Sequence, residues 1–281
     1  MTGDATPPVG LRFAQDKTHE VFMKRYRHTQ ILALLETRSA IRATEAAEML
    51  GVSVGTIRRD MAELEAGGYL NRTHGGAFAA IEGEAGFMRR TCWNRDKKRV
   101  IGQAAAAHIS SGSVVFIDGG TTPEAMLPFL VEKTSLTVVT CGLNIALQLL
   151  RWPYISTILL GGEVHAESRT VTGTLPVTQL DSFGMRFDMA VIATAGISAE
   201  HGATNRMLER LALKQLVLRN SASSILVGDS SKVDCAFLGR VAPLSAFSLC
   251  IMDDDLTDEQ KAKLSEAGRF EFVPLEGSRR R

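Results

Sequence analysis

The chain has 281 residues, 45% of them hydrophobic, with a formal net charge of +1 and an isoelectric point near 7.7. That length suits about two domains, and the near-neutral balance excludes a uniformly basic nucleic-acid coat, so any such contact must come from locally placed Arg and Lys. No apolar run approaches the roughly 18 residues needed to span a bilayer, and the N-terminus lacks the charged-then-apolar plan of a signal peptide. The four cysteines, Cys92, Cys141, Cys235 and Cys250, show neither zinc-type spacing nor a dense disulfide pattern. A cytoplasmic protein with no membrane partner and no bound metal or cofactor is the economical expectation.

Residues 1–22, with Pro7-Pro8 and no sustained period, read as a flexible tail. Residues 23–80 read as a small helical domain. Its first helix runs over Tyr26–Glu36, with Ile31, Leu34 and Leu35 on one face. Thr44 is placed to cap the second helix, whose Ala46, Ala47 and Leu50 point inward. Gly51 makes the turn. Ser53 caps the third helix, where Ile57, Met61 and Leu64 face the core, and Gly67-Gly68 ends it. Tyr69–Thr73 and the residues after Gly75-Gly76 form a small hairpin.

Residues 81–96 read as a linker, and from 97 to 281 the pattern changes. Apolar strands are predicted over Val114–Asp118, Leu136–Thr140, Ile155–Leu160, Met189–Thr194, Ser224–Asp229, Leu249–Asp253 and Phe270–Val273. Helices are predicted over Lys97–Ile109, Glu124–Glu132, Asn144–Leu150, Asn205–Asn220 and Asp258–Glu266. Continuous apolar strands alternating with amphipathic helices imply a largely parallel sheet covered on both faces. The fold class is therefore α/β, with an N-terminal helical module joined to a mostly parallel sheet domain.

The helical module carries the sharper signal. A capped helix after a tight turn can enter the major groove of DNA. Its exposed N-terminal half holds Val54, Thr56, Arg58 and Arg59. An arginine there can bind phosphate or pair bidentately with guanine, while Ser53 and Thr56 suit phosphate oxygens at a helix N-terminus. Arg72 and His74 on the hairpin are placed to touch the flanking backbone. A plain three-helix packing unit with solvated arginines is the bland alternative, and the capped helix, the LGVS turn, TIRRD and the Gly-Gly wing together outweigh it. The run MLGVSVGTIRRDMAELEAGGYLNRTHGGA, with LGVS at Leu50–Ser53, TIRRD at Thr56–Asp60 and HGGA at His74–Ala77, resembles the N-terminal module of the DeoR family of bacterial sugar-metabolism regulators. The resemblance implies a winged helix-turn-helix, usually a repressor, acting on double-stranded operator DNA of a carbohydrate operon.

In the second domain FIDGGTTPEAM, Phe116–Met126, runs from a strand through Gly119-Gly120-Thr121-Thr122 into a helix start. Inward amides, two hydroxyls and a helix N-terminus can cradle a phosphate, although the loop is no Walker motif and could be a tight connection alone. Thr140 and Asn144, Gly161-Gly162, Gly196 and Asp229-Ser230-Ser231-Lys232 also fall at C-terminal strand ends, where ligands collect in open parallel sheets. Lys232 is the natural cation, and Asp118 or Asp229 could accept from hydroxyls; alternatively Asp229 caps a loop and Lys232 is solvated. The elements IDGGTT, TVVT, LLGGE, the AGIS–HGATN region and DSSK resemble the DeoR-type effector domain. That resemblance implies a fold like ribose-phosphate isomerases and coenzyme A transferases, and a phosphorylated sugar or polyol as signal. One departure stands out: Cys141-Gly142 occupy the place of the family's usual Asn-Ser, removing two polar side chains from the sugar end.

Other chemistry is thinly supported. The histidines show no HExxH spacing, no Gly-x-Ser-x-Gly elbow occurs, and Cys141 has no matched base. A sugar-phosphate isomerase or transferase fused to a DNA-binding module is the rival reading, with Asp118, Glu163 or Asp229 as its base. Because one recognition helix reads few base pairs, a homo-oligomer held through the second domain is expected.

Overall fold

The computed structural model describes residues 24, 26–28, 30–32, 34–35, 38, 40–66, 70–79, 90–91, 93–166 and 168–275. The tail expected over 1–22 and most of the linker expected over 81–96 lie outside these residues. The chain divides into two compact units, Met1–Trp93 and Asn94–Arg281.

In the first unit the described residues between 24 and 38 are helical, followed by β1 (Ala40–Arg42), the helices Ala43–Leu50 and Val54–Ala66, β2 (Leu70–Arg72) and β3 (Gly76–Ala79). Ile31, Leu35, Ala46, Ala47, Ile57, Met61 and Leu64 meet in one core, as their helical spacing predicts. Gly51 takes φ 64°, a left-handed turn that suits glycine, and Val52 N–H donates to Ala47 O at 3.1 Å. Thr44 does not cap. The helix begins at Ala43, whose N–H donates to Gly75 O at 2.8 Å, so a wing carbonyl serves where a hydroxyl was expected. The wing also gains a third strand, in the order β1-β3-β2, all antiparallel.

In the second unit seven parallel strands run in the order β15-β14-β12-β9-β4-β5-β6. They are β4 (Val114–Ile117), β5 (Thr137–Thr140), β6 (Ser156–Leu159), β9 (Phe187–Ala193), β12 (Ser221–Val227), β14 (Leu249–Asp253) and β15 (Phe270–Val273). Each overlaps a strand read from the sequence. The pleat splits the core: Phe116 joins Phe187, Leu213, Val217, Leu226 and Met252 on one face. Val115 and Ile117 join Ile101, Met126, Val138, Ile145 and Ile251 on the other.

Helices differ where proline or sheet pairing intervenes. The helix expected over Glu124–Glu132 is a single turn, Thr121–Glu124, and a 3-10 turn, Leu127–Leu130. Pro128 lacks the N–H a continuous helix needs and crowds the preceding turn. The helix expected over Asn205–Asn220 starts at Leu211, because Gly202–Asn205 forms β11 between β10 (Gly196–Ser198) and β13 (Gly239–Ala242). The helix Leu175–Ser182 and the hairpin of β7 (Glu163–His165) and β8 (Thr170–Thr172) were not read from the sequence.

Candidate functional site

The helix Val54–Ala66 is built around its cap. Thr56 N–H donates to Ser53 Oγ at 3.0 Å, and the two hydroxyls lie 2.8 Å apart. Arg58 and Arg59 are exposed on the next turn, and Arg59 Nε donates back to Gly55 O at 3.3 Å. The neighbouring acid turns the other way. Asp60 is buried, accepting from Arg27 Nε at 2.8 Å and lying 3.3 Å from His28 Nε2. The triplet Arg58-Arg59-Asp60 thus presents both cations outward and consumes its carboxylate internally, which keeps that face positive in a nearly neutral chain. Ser53, Arg72 and His74 are exposed; Thr56 and Val54 are half-buried, Val54 against the core. Arg72 is steadied by Glu65, whose Oε1 accepts its N–H at 2.8 Å.

At the end of β4 a small pocket lies over Asp118 and Gly119, and Cys141, Thr170, Thr172, Glu209, Arg210 and Lys214 give it its polar wall, so a carboxylate stands there beside the two cations. Asp118 is buried. Its Oδ2 accepts from Ala193 N at 3.0 Å and from Lys214 Nζ, and Lys214 Nζ also donates to Ala193 O at 2.6 Å. One lysine from the helix Leu211–Arg219 therefore ties together the ends of β4 and β9. Arg210 Nη2 donates to Thr170 Oγ1 at 3.1 Å. Thr170 lies directly over Gly119, where a Cβ would stand 2.2 Å from Thr170 Cγ2, so no larger residue fits. Gly142 is tight but less so: its Cβ would sit 3.1 Å from Gly119 Cα. The loop after β5 is thus packed against the glycine cradle at Gly142, while nothing in the structure explains Cys141 in place of the family's usual Asn.

The residues nominated from sequence are only partly brought together. Asp118 and Gly119 line the cavity; Gly120, Thr121 and Thr122 follow them outside that lining, the two threonines opening the helical turn Thr121–Glu124. Thr140 is fully buried, donating to Ile117 O at 2.6 Å and accepting from Gly142 N–H at 3.0 Å, so it shapes the loop instead of facing a ligand. Asn144 Nδ2 reaches Glu124 Oε1 at 3.4 Å. Burial raises the Glu124 carboxyl above its usual range, against the bonds from Asn144 and Gln148. Gly161 N–H donates to Gln179 Oε1 at 2.8 Å, and neither Gly161 nor Gly162 is among the lining residues. Lys232 stands on the turn Ser230–Lys232, half-buried and outside that lining. Asp229 organises its own loop, accepting from Asn94 Nδ2 at 2.9 Å and Ser231 N–H at 3.1 Å. Lys97 stitches that loop to its neighbour, bonding Ser230 Oγ at 2.7 Å and Asp255 Oδ2 at 2.6 Å.

Arg210 and Lys214 are the cations that sequence reasoning missed. Lys214 falls between Leu213 and Val217, inside the apolar stripe of its helix, and a lysine in such a stripe signals a buried partner. Cys141 is buried, and its surroundings disfavour the thiolate. Burial, then the nearby Asp118 charge, pushes its thiol up to about 12, and its Sγ lies 3.6 Å from Asp118 Oδ1. Iodoacetamide at pH 8 is therefore expected to leave Cys141 unmodified in the native protein and to label it after unfolding; peptide mass mapping that finds native labelling would contradict this. Among the described residues no group of three or more His, Cys, Asp or Glu could hold a metal, and no helix is long and apolar enough to cross a membrane.

Comparison with known proteins agrees with both halves. Residues 27–81 match the DeoR-like helix-turn-helix domain, and residues 93–254 match the DeoR C terminal sensor domain. The glycerol-3-phosphate regulon repressor of Escherichia coli is 30% identical over 233 residues, 83% of this chain and 90% of its own. The HTH-type transcriptional regulator GolR of Listeria innocua is 28% identical over 244 residues, 86% of this chain and 95% of its own. Ribose 5-phosphate isomerase from Plasmodium falciparum aligns with 50% of this chain and 52% of its own at 15% identity and a TM-score of 0.36, a distance at which the likeness says nothing further. The relatives bear the names of regulators and repressors, so the isomerase reading is set aside. With both family domains present in order, the chain belongs to the DeoR family of DNA-binding transcriptional regulators.

Proposed function

We propose that this regulator represses a carbohydrate or polyol operon in the cytoplasm, as a homo-oligomer, and that a phosphorylated sugar or polyol controls it. The reading rests on one chain joining an exposed arginine pair on a capped helix to a glycine cradle with cations beside it. The relative named for a glycerol-3-phosphate regulon supports a phosphorylated signal. Ser53, Val54, Thr56, Arg58, Arg59, Arg72 and His74 are the proposed DNA-facing set, with Arg58 and Arg59 central. On the sensor unit the phosphate is proposed to rest on Gly119–Thr122, where a strand end runs through two glycines into the start of a helical turn. Arg210 joins Lys232 as a proposed counter-charge, because its guanidinium bonds the threonine that covers Gly119.

Calorimetry with phosphorylated ligands and their dephosphorylated counterparts tests this. Only the phosphorylated forms are expected to bind. Arg210→Gln and Thr121→Val should each weaken binding, the first by roughly 1.5–3 kcal/mol if a charge-assisted bond is lost. Lys232→Ala distinguishes the two cations: an unchanged affinity would remove Lys232 from the site and leave Arg210. Equal binding of the unphosphorylated forms would overturn the phosphate reading.

A further inference from the structure

The outer edge of the seven-stranded sheet is the four-residue strand β6, which pairs with β5 and has no second strand beside it among the described residues. From Trp152 to Gly162 there is no charged residue, and Pro153 lies before the strand and not in it, whereas edge strands of monomers are commonly blunted by Lys, Pro or a bulge within them. Ile158 and Leu159 are 40% and 41% exposed. Leu147 and Leu150, on the helix Leu143–Leu149 and its end, are exposed beside them, as is Tyr154.

The hydrogen-bond phase says which groups are open. Ser156 N–H donates to Leu136 O and Leu160 N–H to Thr140 O, both at 2.9 Å. Alternate residues of a strand face alternate neighbours, so Ser156, Ile158 and Leu160 serve β5, and Thr157 and Leu159 turn their N–H and C=O outward. We infer that the β6 edge pairs antiparallel with β6 of a second copy of this chain, about a two-fold axis at Ile158.

The phase makes this pairing self-complementary. Thr157 of one copy meets Leu159 of the other, and the reverse, each pair exchanging two backbone bonds. Ile158 faces its own counterpart as a non-hydrogen-bonded pair, with Cα atoms about 4.5 Å apart. The flanks are complementary too. Arg151 precedes the neutral stretch and Glu163 follows it, both exposed; antiparallel pairing brings the cationic end of one copy to the acidic end of the other. A closed isologous contact is the commonest form of soluble homo-oligomer. The inference rests on the oligomer proposed above and names its surface.

The test uses the full chain by sedimentation and by non-reducing electrophoresis. Ile158→Lys sets two like charges face to face on the axis and should weaken association at least tenfold. Thr157→Pro removes an outward donor without touching the bonds to β5, and should act alike. Ile158→Cys should form a disulfide-linked dimer without added cross-linker, since that Cα separation falls within the disulfide range of about 4.4–6.8 Å. Leu175→Cys, exposed elsewhere on the unit, should not. An oligomer that Ile158→Lys leaves intact and Ile158→Cys does not cross-link would overturn the edge while sparing the oligomer. A monomeric wild-type chain at micromolar concentration would overturn both.

Discussion

Lys214→Met and Asp118→Asn are each expected to lower the thermal midpoint of the sensor unit by roughly 6–20 °C. Both groups are buried and bonded to one another. Removing one member leaves the other charge, or its polar remnant, inside the sheet without its main partner. Breaking a buried pair in this way costs about 3–5 kcal/mol, and in a unit of this size each kcal/mol moves the midpoint by about 2–4 °C. Ala193 offers only partial compensation, since its N–H serves Asp118 and its C=O serves Lys214. The double variant should recover much of the loss, because a pair replaced together by uncharged groups need not be solvated by anything. Differential scanning calorimetry on the four proteins reads this directly. Single variants within a degree or two of wild type would show that the pair holds nothing. The same experiment bears on sensing. The pair fixes the end of β4 immediately before Gly119, so a destabilised variant that still binds a phosphorylated ligand would separate the cradle from its anchor.

How much of this was legible depends on what each segment buries. The seven sheet strands were visible because both faces of a parallel sheet are covered, and Val114–Ile117 or Leu249–Asp253 must then read as apolar without alternation. The hairpin Glu163–His165 and Thr170–Thr172 is short and polar, with no turn dipeptide to announce it, yet it supplies Thr170 above the cradle. The helix Leu175–Ser182 has little amphipathic contrast and was invisible for that reason. Asp118 was nominated as a hydroxyl acceptor because a strand-end carboxylate in a glycine loop has that look; its partner lay 96 residues away in sequence, beyond any local pattern. Lys232 was favoured over Arg210 for a similar reason. DSSK sits plainly at a strand end, whereas Arg210 sits on a 3-10 turn that the sequence reading merged into a helix. The DNA-facing unit was read more fully, since caps, turn and apolar stripe are all local signals.

Arg58→Ala and Arg59→Ala are expected to weaken operator binding, and the manner of weakening identifies the contact. Both side chains are exposed on the helix that Ser53 caps, while Asp60 beside them is held inward by Arg27. A bidentate guanine contact should cost roughly 1–3 kcal/mol on the operator, relax specificity at one base pair, and leave random DNA nearly unaffected. A phosphate contact should weaken operator and random DNA alike, and lower the salt slope by about one. Arg59 also bonds Gly55 O at 3.3 Å, which holds its guanidinium back along the helix toward the N-terminal turn, the end of a helix that favours phosphate. Arg59 is accordingly assigned the phosphate and Arg58 the base edge. Fluorescence anisotropy on specific and random duplexes at two or more salt concentrations separates the outcomes, with circular dichroism to show that each variant is folded. The assignment of roles is reversed if Arg59→Ala is the variant that relaxes specificity. Unchanged affinity in both variants would remove this helix from the groove altogether.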